Sequence, residues 1–152
     1  MRNFEGKMAI VTGGGTGMGR ELVRQLAVAK CHVAMCDVSP DNMMETERLA
    51  LSETTDDVRV TSHVCDVADE ADMLAFRSQV QARHGVEHVD LVFNNAGIGG
   101  GGSFVIDEDR MAWEKTFDVC WHGVYHGCRA FLPLLIRSEE GHVVNTSSIN
   151  GF

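Results

Sequence analysis

A run of nine residues near the start, Thr12-Gly13-Gly14-Gly15-Thr16-Gly17-Met18-Gly19-Arg20, constrains this chain more than any other stretch. The apolar segment Lys7-Met8-Ala9-Ile10-Val11 precedes it, and Glu21-Leu22-Val23-Arg24-Gln25-Leu26-Ala27 follows. That order reads as strand, glycine turn, helix. Glycine lets a backbone turn tightly and approach a ligand closely, because no side chain intervenes. The helix after it offers unpaired N–H groups and the positive end of its dipole, a seat for a pyrophosphate. No Gly-Lys-Ser/Thr closes the run, so it is not a Walker-type phosphate loop. The competing reading is an ordinary tight turn between a strand and a helix.

At 152 residues the chain makes one domain with a sizeable core. A hydrophobic share of 44% with 23% charged residues belongs to the globular class. The net charge of −9 argues against nucleic acid and against an anionic membrane surface as partners. No window has the apolar length of a membrane span, and the first strand begins too early for a signal peptide. Five cysteines (Cys31, Cys36, Cys65, Cys120 and Cys128) are odd in number and lack metal-ligand spacing. Reduced thiols in a cytoplasmic protein are expected.

Hydrophobic periodicity predicts a strand over Lys7–Thr12, a helix over Gly17–Lys30 and a strand over His32–Asp37. Ser39 is expected to cap a helix that begins at Pro40 and runs to Thr54. Strand three is expected over Val58–Cys65. A helix opened by Asp69 follows over Glu70–His84, with Met73, Leu74, Phe76 and Val80 inward. Strand four is expected over Val89–Asn94, followed by a loose segment, Gly97–Ser103, with glycines at Gly99 to Gly102. One long helix is predicted over Asp109–Ile136, with Phe117, Cys120, Val124, Cys128, Phe131 and Leu135 on one face and Pro133 near its end. Strand five is expected over His142–Ser147. Strands alternating with helices imply a doubly wound α/β fold: a parallel sheet in the order 3-2-1-4-5, with ligands at the carboxyl ends of the strands.

Several residues sit where chemistry is expected. Asp37 ends strand two, where a carboxylate accepts hydrogen bonds from ribose hydroxyls and repels a 2′-phosphate. No Arg or Lys lies at Gly14 to Thr16 or at Val38 to Pro40 to receive such a phosphate, so NAD is expected rather than NADP. A helix-cap or turn role for Asp37 is the alternative. Asp66 ends strand three, and Asn94-Asn95-Ala96-Gly97 ends strand four; each alone is an ordinary turn composition. His122 and His126 lie one turn apart, a spacing that can bind zinc. No third ligand is evident, and a surface or interface role with no metal is expected. The Met43-Met44 pair is expected in the core.

Together these pieces resemble the short-chain dehydrogenase/reductase family. The matching residues are Thr12-Gly13-x-x-x-Gly17-x-Gly19, Asp37, Asp66-Val67, Asn94-Asn95-Ala96-Gly97, the Trp113 to Gly123 segment and Asn145-Thr146-Ser147-Ser148-Ile149-Asn150-Gly151. The resemblance implies a Rossmann-type domain over residues 1–152. It implies hydride transfer between NAD and a small secondary alcohol or ketone, and a homo-oligomer for the complete protein. Gly13, Thr16, Gly17, Met18 and Gly19 would surround the pyrophosphate and its ribose, with Asp37 and Val38 at the ribose hydroxyls. Asp66 and Val67 would hold adenine. Asn94, Ala96 and Gly97 would line the cofactor ribose, and Thr146 would border the nicotinamide. Ser148 matches the catalytic serine, with Ser147 one register away.

Three departures from the family pattern stand out. Cys120 replaces the Asn that supports a water relay, and a thiol is a weak hydrogen-bond partner. Lys30 stands where a glycine usually ends the first helix, so a local backbone change is expected. The catalytic Tyr-x-x-x-Lys follows the serine in the family, and this sequence ends at Phe152 before it. The single tyrosine, Tyr125, lies in the preceding helix with Arg129 four residues on. The expectation is the cofactor-binding part of a dehydrogenase, truncated and inactive alone; the alternative is a non-catalytic module that binds NAD or pairs with full-length subunits. An open strand-five edge and an unpartnered face carrying Phe117, Val124 and Phe131 predict a poorly folded or partner-dependent chain.

Overall fold

A computed structural model describes residues 3–54, 57–100, 105–106, 108 and 110–148. Gly101, Gly102, Asp109 and the expected Ile149 to Phe152 segment lie outside those residues. Five parallel strands, β1 (Met8–Thr12), β2 (His32–Asp37), β3 (Val60–Val64), β4 (Leu91–Asn94) and β5 (His142–Asn145), form one sheet in the order β3-β2-β1-β4-β5. The helices between them are α1 (Gly17–Val28), α2 (Pro40–Ser52), α3 (Glu70–His84), α4 (Arg110–Phe117) and α5 (Gly123–Leu135).

Side chains alternate across each strand, so the sheet splits its apolar residues between two cores. Ala9, Val11, Val33 and Met35 face α1 and α2, meeting Val23, Leu26 and Met43. Met8, Ile10, Ala34 and Cys36 face α3 and α5, meeting Met73, Phe76, Phe131 and Leu134. Phe76 and Phe131 pack edge to face at 5.4 Å between ring centroids. Phe131 is therefore a fully buried residue with partners, contrary to the expectation of an unpartnered face through it. Leu74 and Met44, expected inside, are exposed at 38% and 66%, because their helices are amphipathic and turn these positions outward.

Helix ends show two corrections and one agreement. Ser39 holds the N-cap position of α2 without a side-chain cap bond; its N–H donates to Asp37 Oδ1 at 3.1 Å instead. Asp69 does cap α3, accepting from the N–H groups of Ala71 and Asp72. Lys30 does not change the backbone. It adopts φ +62°, its N–H donates to Ala27 O, and Cys31 N donates to Leu26 O. That is the left-handed helix stop a glycine would make, occupied by a lysine.

The long helix is interrupted. Between α4 and α5 the chain makes a π-helical turn over Asp118–His122, where Gly123 N reaches back to Asp118 O. One extra residue is accommodated there, which simple 3.6-residue periodicity cannot show. The interruption shifts the inward face: Gly127, Ala130, Phe131 and Leu134 of α5 are buried, whereas Phe117 and Cys120 are exposed. Strand β5 stops at Asn145, two residues before the expected end, although Thr146 N still donates to Asn94 O. At the opposite end of the sheet, the buried Asp90 carboxylate accepts from Met8 N at 2.9 Å and from the Ser138 hydroxyl at 2.6 Å. It thereby ties β1, β4 and the end of α5 together.

Candidate functional site

The carboxyl ends of β1 to β4 open into one cleft of about 550 Å³. Its floor is the glycine turn. Gly13 and Gly17 have φ of +67° and +54°, in the left-handed region where a Cβ is strained. A Cβ on Gly13 would also lie 2.8 Å from the Ala96 Cα, so β1 and β4 close together only over glycine. The turn delivers the chain into α1 with Thr16 at its N-cap, making no side-chain cap bond, and with no acid in the first turn. Two local substitutes for an anion are thus missing at that helix start, and Gly17, Met18 and Gly19 of its first turn line the cleft. The start of α3, by contrast, is occupied by its own Asp69.

Asp37 closes one end of the cleft. Its Oδ2 accepts from Gly15 N at 3.0 Å and its Oδ1 from Ser39 N at 3.1 Å. Each oxygen keeps a further lone pair, and the carboxylate is fixed in orientation by two backbone donors. Asp66, just past the neighbouring strand β3, also lines the cleft, with its Oδ1 accepting from Ala68 N at 2.9 Å. Val67 packs under Gly123, where a Cβ would come within 2.7 Å of the valine methyl.

Of the residues singled out in the sequence, Gly13, Thr16, Gly17, Met18 and Gly19 line the cleft together with Asp37 and Val38. Asp66, Val67, Ala96 and Gly97 line it as well. Asn94 does not. It is buried beneath, donating from Nδ2 to Asn145 Oδ1 at 2.8 Å, with its own Oδ1 lacking a hydrogen-bond partner among the described residues. Thr146, Ser147 and Ser148 lie just past β5, exposed and outside the cleft lining; Thr146 Oγ1 approaches Asn95 Oδ1 at 3.4 Å. Cys120 sits in the π-turn near Gly97, with its thiol 3.5 Å from Ile98 O.

Sequence reasoning gave no role to Thr12, Asn95, Lys115 or Val119. Thr12, 2% exposed, has a hydroxyl that accepts from both Asn95 N and Ala96 N at 3.0 Å. Asn95 returns the contact through Nδ2 to Thr12 O at 3.0 Å, clamping β4 to the glycine turn. The pairing of a strand-end threonine with a strand-end amide was the available signal. Lys115 and Val119 enter the lining from α4 and the π-turn, and no strand-end motif points to them.

The remaining candidates lie elsewhere. Tyr125 is 51% exposed on α5; the Arg129 guanidinium lies 5.8 Å from its ring and also pairs with Glu70, away from the cleft. His122 Nδ1 contacts Asp118 Oδ1 at 2.9 Å and His126 Nδ1 contacts Val67 O at 3.0 Å. No group of three or more metal-ligating side chains is found among the described residues. All five cysteines are free. Burial pushes the Cys31 thiol up to about 12, and Cys36 is raised by its hydrogen bond to Cys65 and by burial. No helix among the described residues is long and apolar enough to cross a membrane.

A family profile for short chain dehydrogenases matches residues 7–152. A Mycobacterium tuberculosis protein, SadH, is 40% identical over 151 residues, covering 99% of this chain and 52% of the relative. The chain thus spans about half the length of that curated relative. A crystal structure of a Burkholderia phymatum short chain dehydrogenase/reductase in complex with NAD superposes with a TM-score of 0.86 at 32% identity, covering 99% of this chain and 52% of the other. A metagenomic short-chain oxidoreductase in complex with NADP gives a TM-score of 0.84 at 29% identity, covering 96% and 64%.

Proposed function

The chain belongs to the short-chain dehydrogenase family, and on that premise we propose that it is the NAD-binding part of an oxidoreductase acting on a small secondary alcohol or ketone. The observation that carries the reading is the Asp37 carboxylate, held by two backbone amides at the rim of a cleft whose floor is the open N-terminus of α1. The residues fit a dinucleotide. Close approach is possible over Gly13, the α1 N–H groups suit a pyrophosphate, and the free lone pairs of Asp37 suit two ribose hydroxyls. A second negative charge beside Asp37 is repelled, which favours NAD over NADP. When bound, the nicotinamide supplies the hydride chemistry.

The chain's own residues then bind and orient. Asp37 and Val38 receive the adenosine ribose, and Asp66 and Val67 the adenine. Met18, Thr16 and the glycines take the pyrophosphate; Ala96 and Gly97 border the second ribose. Ser148 hydrogen-bonds the substrate oxygen, with Thr146 beside the nicotinamide. Cys120, with a weak thiol donor directed at Ile98 O, does not relay protons as an Asn in that place would. The proton donor is not Tyr125, which lies off the cleft. In this reading residues 1–152 bind the cofactor, and the family's Tyr-x-x-x-Lys pair moves the proton in a cytoplasmic homo-oligomer.

The test is a calorimetric titration of NAD and NADP into the folded chain. NAD is expected to bind at least about tenfold more tightly, a difference of roughly 1.4 kcal/mol, and Asp37→Ala is expected to erase that gap. A folded chain that binds neither dinucleotide, or prefers NADP, overturns the reading.

A further inference from the structure

The glycine turn is gripped from behind by two residues outside the cleft lining, Arg20 on α1 and Thr46 on α2. The Arg20 Nη2 donates to Gly15 O at 2.5 Å and to Asn42 O at 3.2 Å, while its Nε donates to Thr46 Oγ1 at 2.9 Å. Thr46 is fully buried. Its single hydroxyl proton has two acceptors in reach, Gly15 O at 3.1 Å and Asn42 O at 3.0 Å. The N–H of the same Gly15 donates to Asp37 Oδ2 at 3.0 Å. Gly15 is thus held by its carbonyl on one side and by its amide on the other.

There is little slack in this arrangement. A Cβ on Gly15 would lie 2.9 Å from both Cγ and Oδ2 of Asp37 and 3.1 Å from the Asn42 Cβ. The direction of the Asp37 carboxylate therefore depends on where Gly15 sits, and the seat of Gly15 depends on Arg20 and Thr46. A guanidinium is suited to this because its donors are fixed in one plane and reach several oxygens at once. A plain α1–α2 contact would need neither a buried hydroxyl nor a charged fork aimed at a loop carbonyl.

We propose that Arg20 and Thr46 are positioning residues for cofactor choice: they fix the Gly15 peptide and so aim Asp37 at the adenosine ribose. The proposal rests on the reading of Asp37 given above. It is tested by titrating NAD and NADP into the chain and into its Thr46→Val and Arg20→Met variants, with thermal melting recorded for each. Thr46→Val keeps shape and removes only the hydroxyl. The expected result is NAD affinity weakened about tenfold with NADP affinity nearly unchanged, so that the preference collapses toward that of Asp37→Ala. In an Asp37→Ala background, the same substitutions are expected to leave the preference where it is. If both dinucleotides weaken in parallel, or neither weakens, Arg20 and Thr46 only hold helices together and the proposal falls. If the unaltered, folded chain lacks an NAD preference, the reading of Asp37 itself falls first. Should Arg20→Met fail to fold, Thr46→Val decides alone.

Discussion

Gly127 and Asn94 give the sharpest test of how α5 is seated on the sheet. Asn94 is 2% exposed at the end of β4, and a Cβ on Gly127 would fall on its Oδ1. Gly127→Ala sets two effects against each other. In a helix interior, alanine is favoured over glycine by about 1 kcal/mol. Against that, overfilling a packed contact costs about 1–3 kcal/mol. Displacing Asn94 also breaks its 2.8 Å bond to Asn145, costing about another 1 kcal/mol. The steric and polar losses win, leaving a net destabilisation of about 2 kcal/mol and a Tm lower by about 4–8 °C. Differential scanning calorimetry of the two proteins measures it. The double variant Asn94→Ala/Gly127→Ala should recover part of the loss relative to the sum of the singles, because the methyl then enters vacated space. A Tm that stays level or rises in Gly127→Ala refutes the argument and shows that α5 can slide off Asn94 freely.

Two further outcomes follow from the helix stop and from a histidine chain. Lys30→Gly should raise Tm by about 2–4 °C, because a left-handed stop strains any residue with a Cβ; the exposed Lys30–Glu5 pair it removes contributes little. A lower Tm would show otherwise. His63 and His84 both contact the Thr61 hydroxyl, and His63 also contacts Gln79. Burial lowers the pKa of His63 and takes His84 down to about 4, with Arg59, His32, His63 and Arg83 adding to the second shift. Folded values below the unfolded value mean that the stabilisation is whole above about pH 6.5 and is lost as pH falls toward 4. Urea unfolding should lose about 1 kcal/mol between pH 7 and pH 5 through His84, discounted for its part-exposed ring. His84→Gln should flatten that slope; an unchanged slope would remove His84 from the account.

Much of this molecule can be read from its residues, and most of the unread part lies in contacts between elements. Strand order and the glycine turn followed from apolar runs such as Val11 and Met35 and from where Gly13 and Gly17 fall. The same holds for the placement of Asp37, Asp66 and Ala96 on one cleft. These are signals carried by one element at a time. The bracket of Arg20 and Thr46 joins two helices, and the clamp of Thr12 and Asn95 joins two strand ends 83 residues apart. Neither partner is unusual alone. Lys30 misled for a different reason: its side chain tolerates a backbone that its residue type disfavours. Asn94 stands in the motif expected to line the ribose, but its side chain points down to Asn145 and leaves the cleft to Asn95.

The π-turn over Asp118–His122 also governs how this family of surfaces can vary. Each residue of an α-helix advances the azimuth by about 100°. The π-turn closes five residues into roughly the sweep of four α-helical ones, so removing one residue from it would restore a continuous helix with α4 and α5 in nearly their present phase. Lys115 would keep its place in the cleft wall, and Phe131 and Leu134 theirs in the core. The turn thus stores one residue without turning one helix half against the other, so a single-residue deletion there would alter the wall only locally, around Val119 and Cys120, while both halves stay in register.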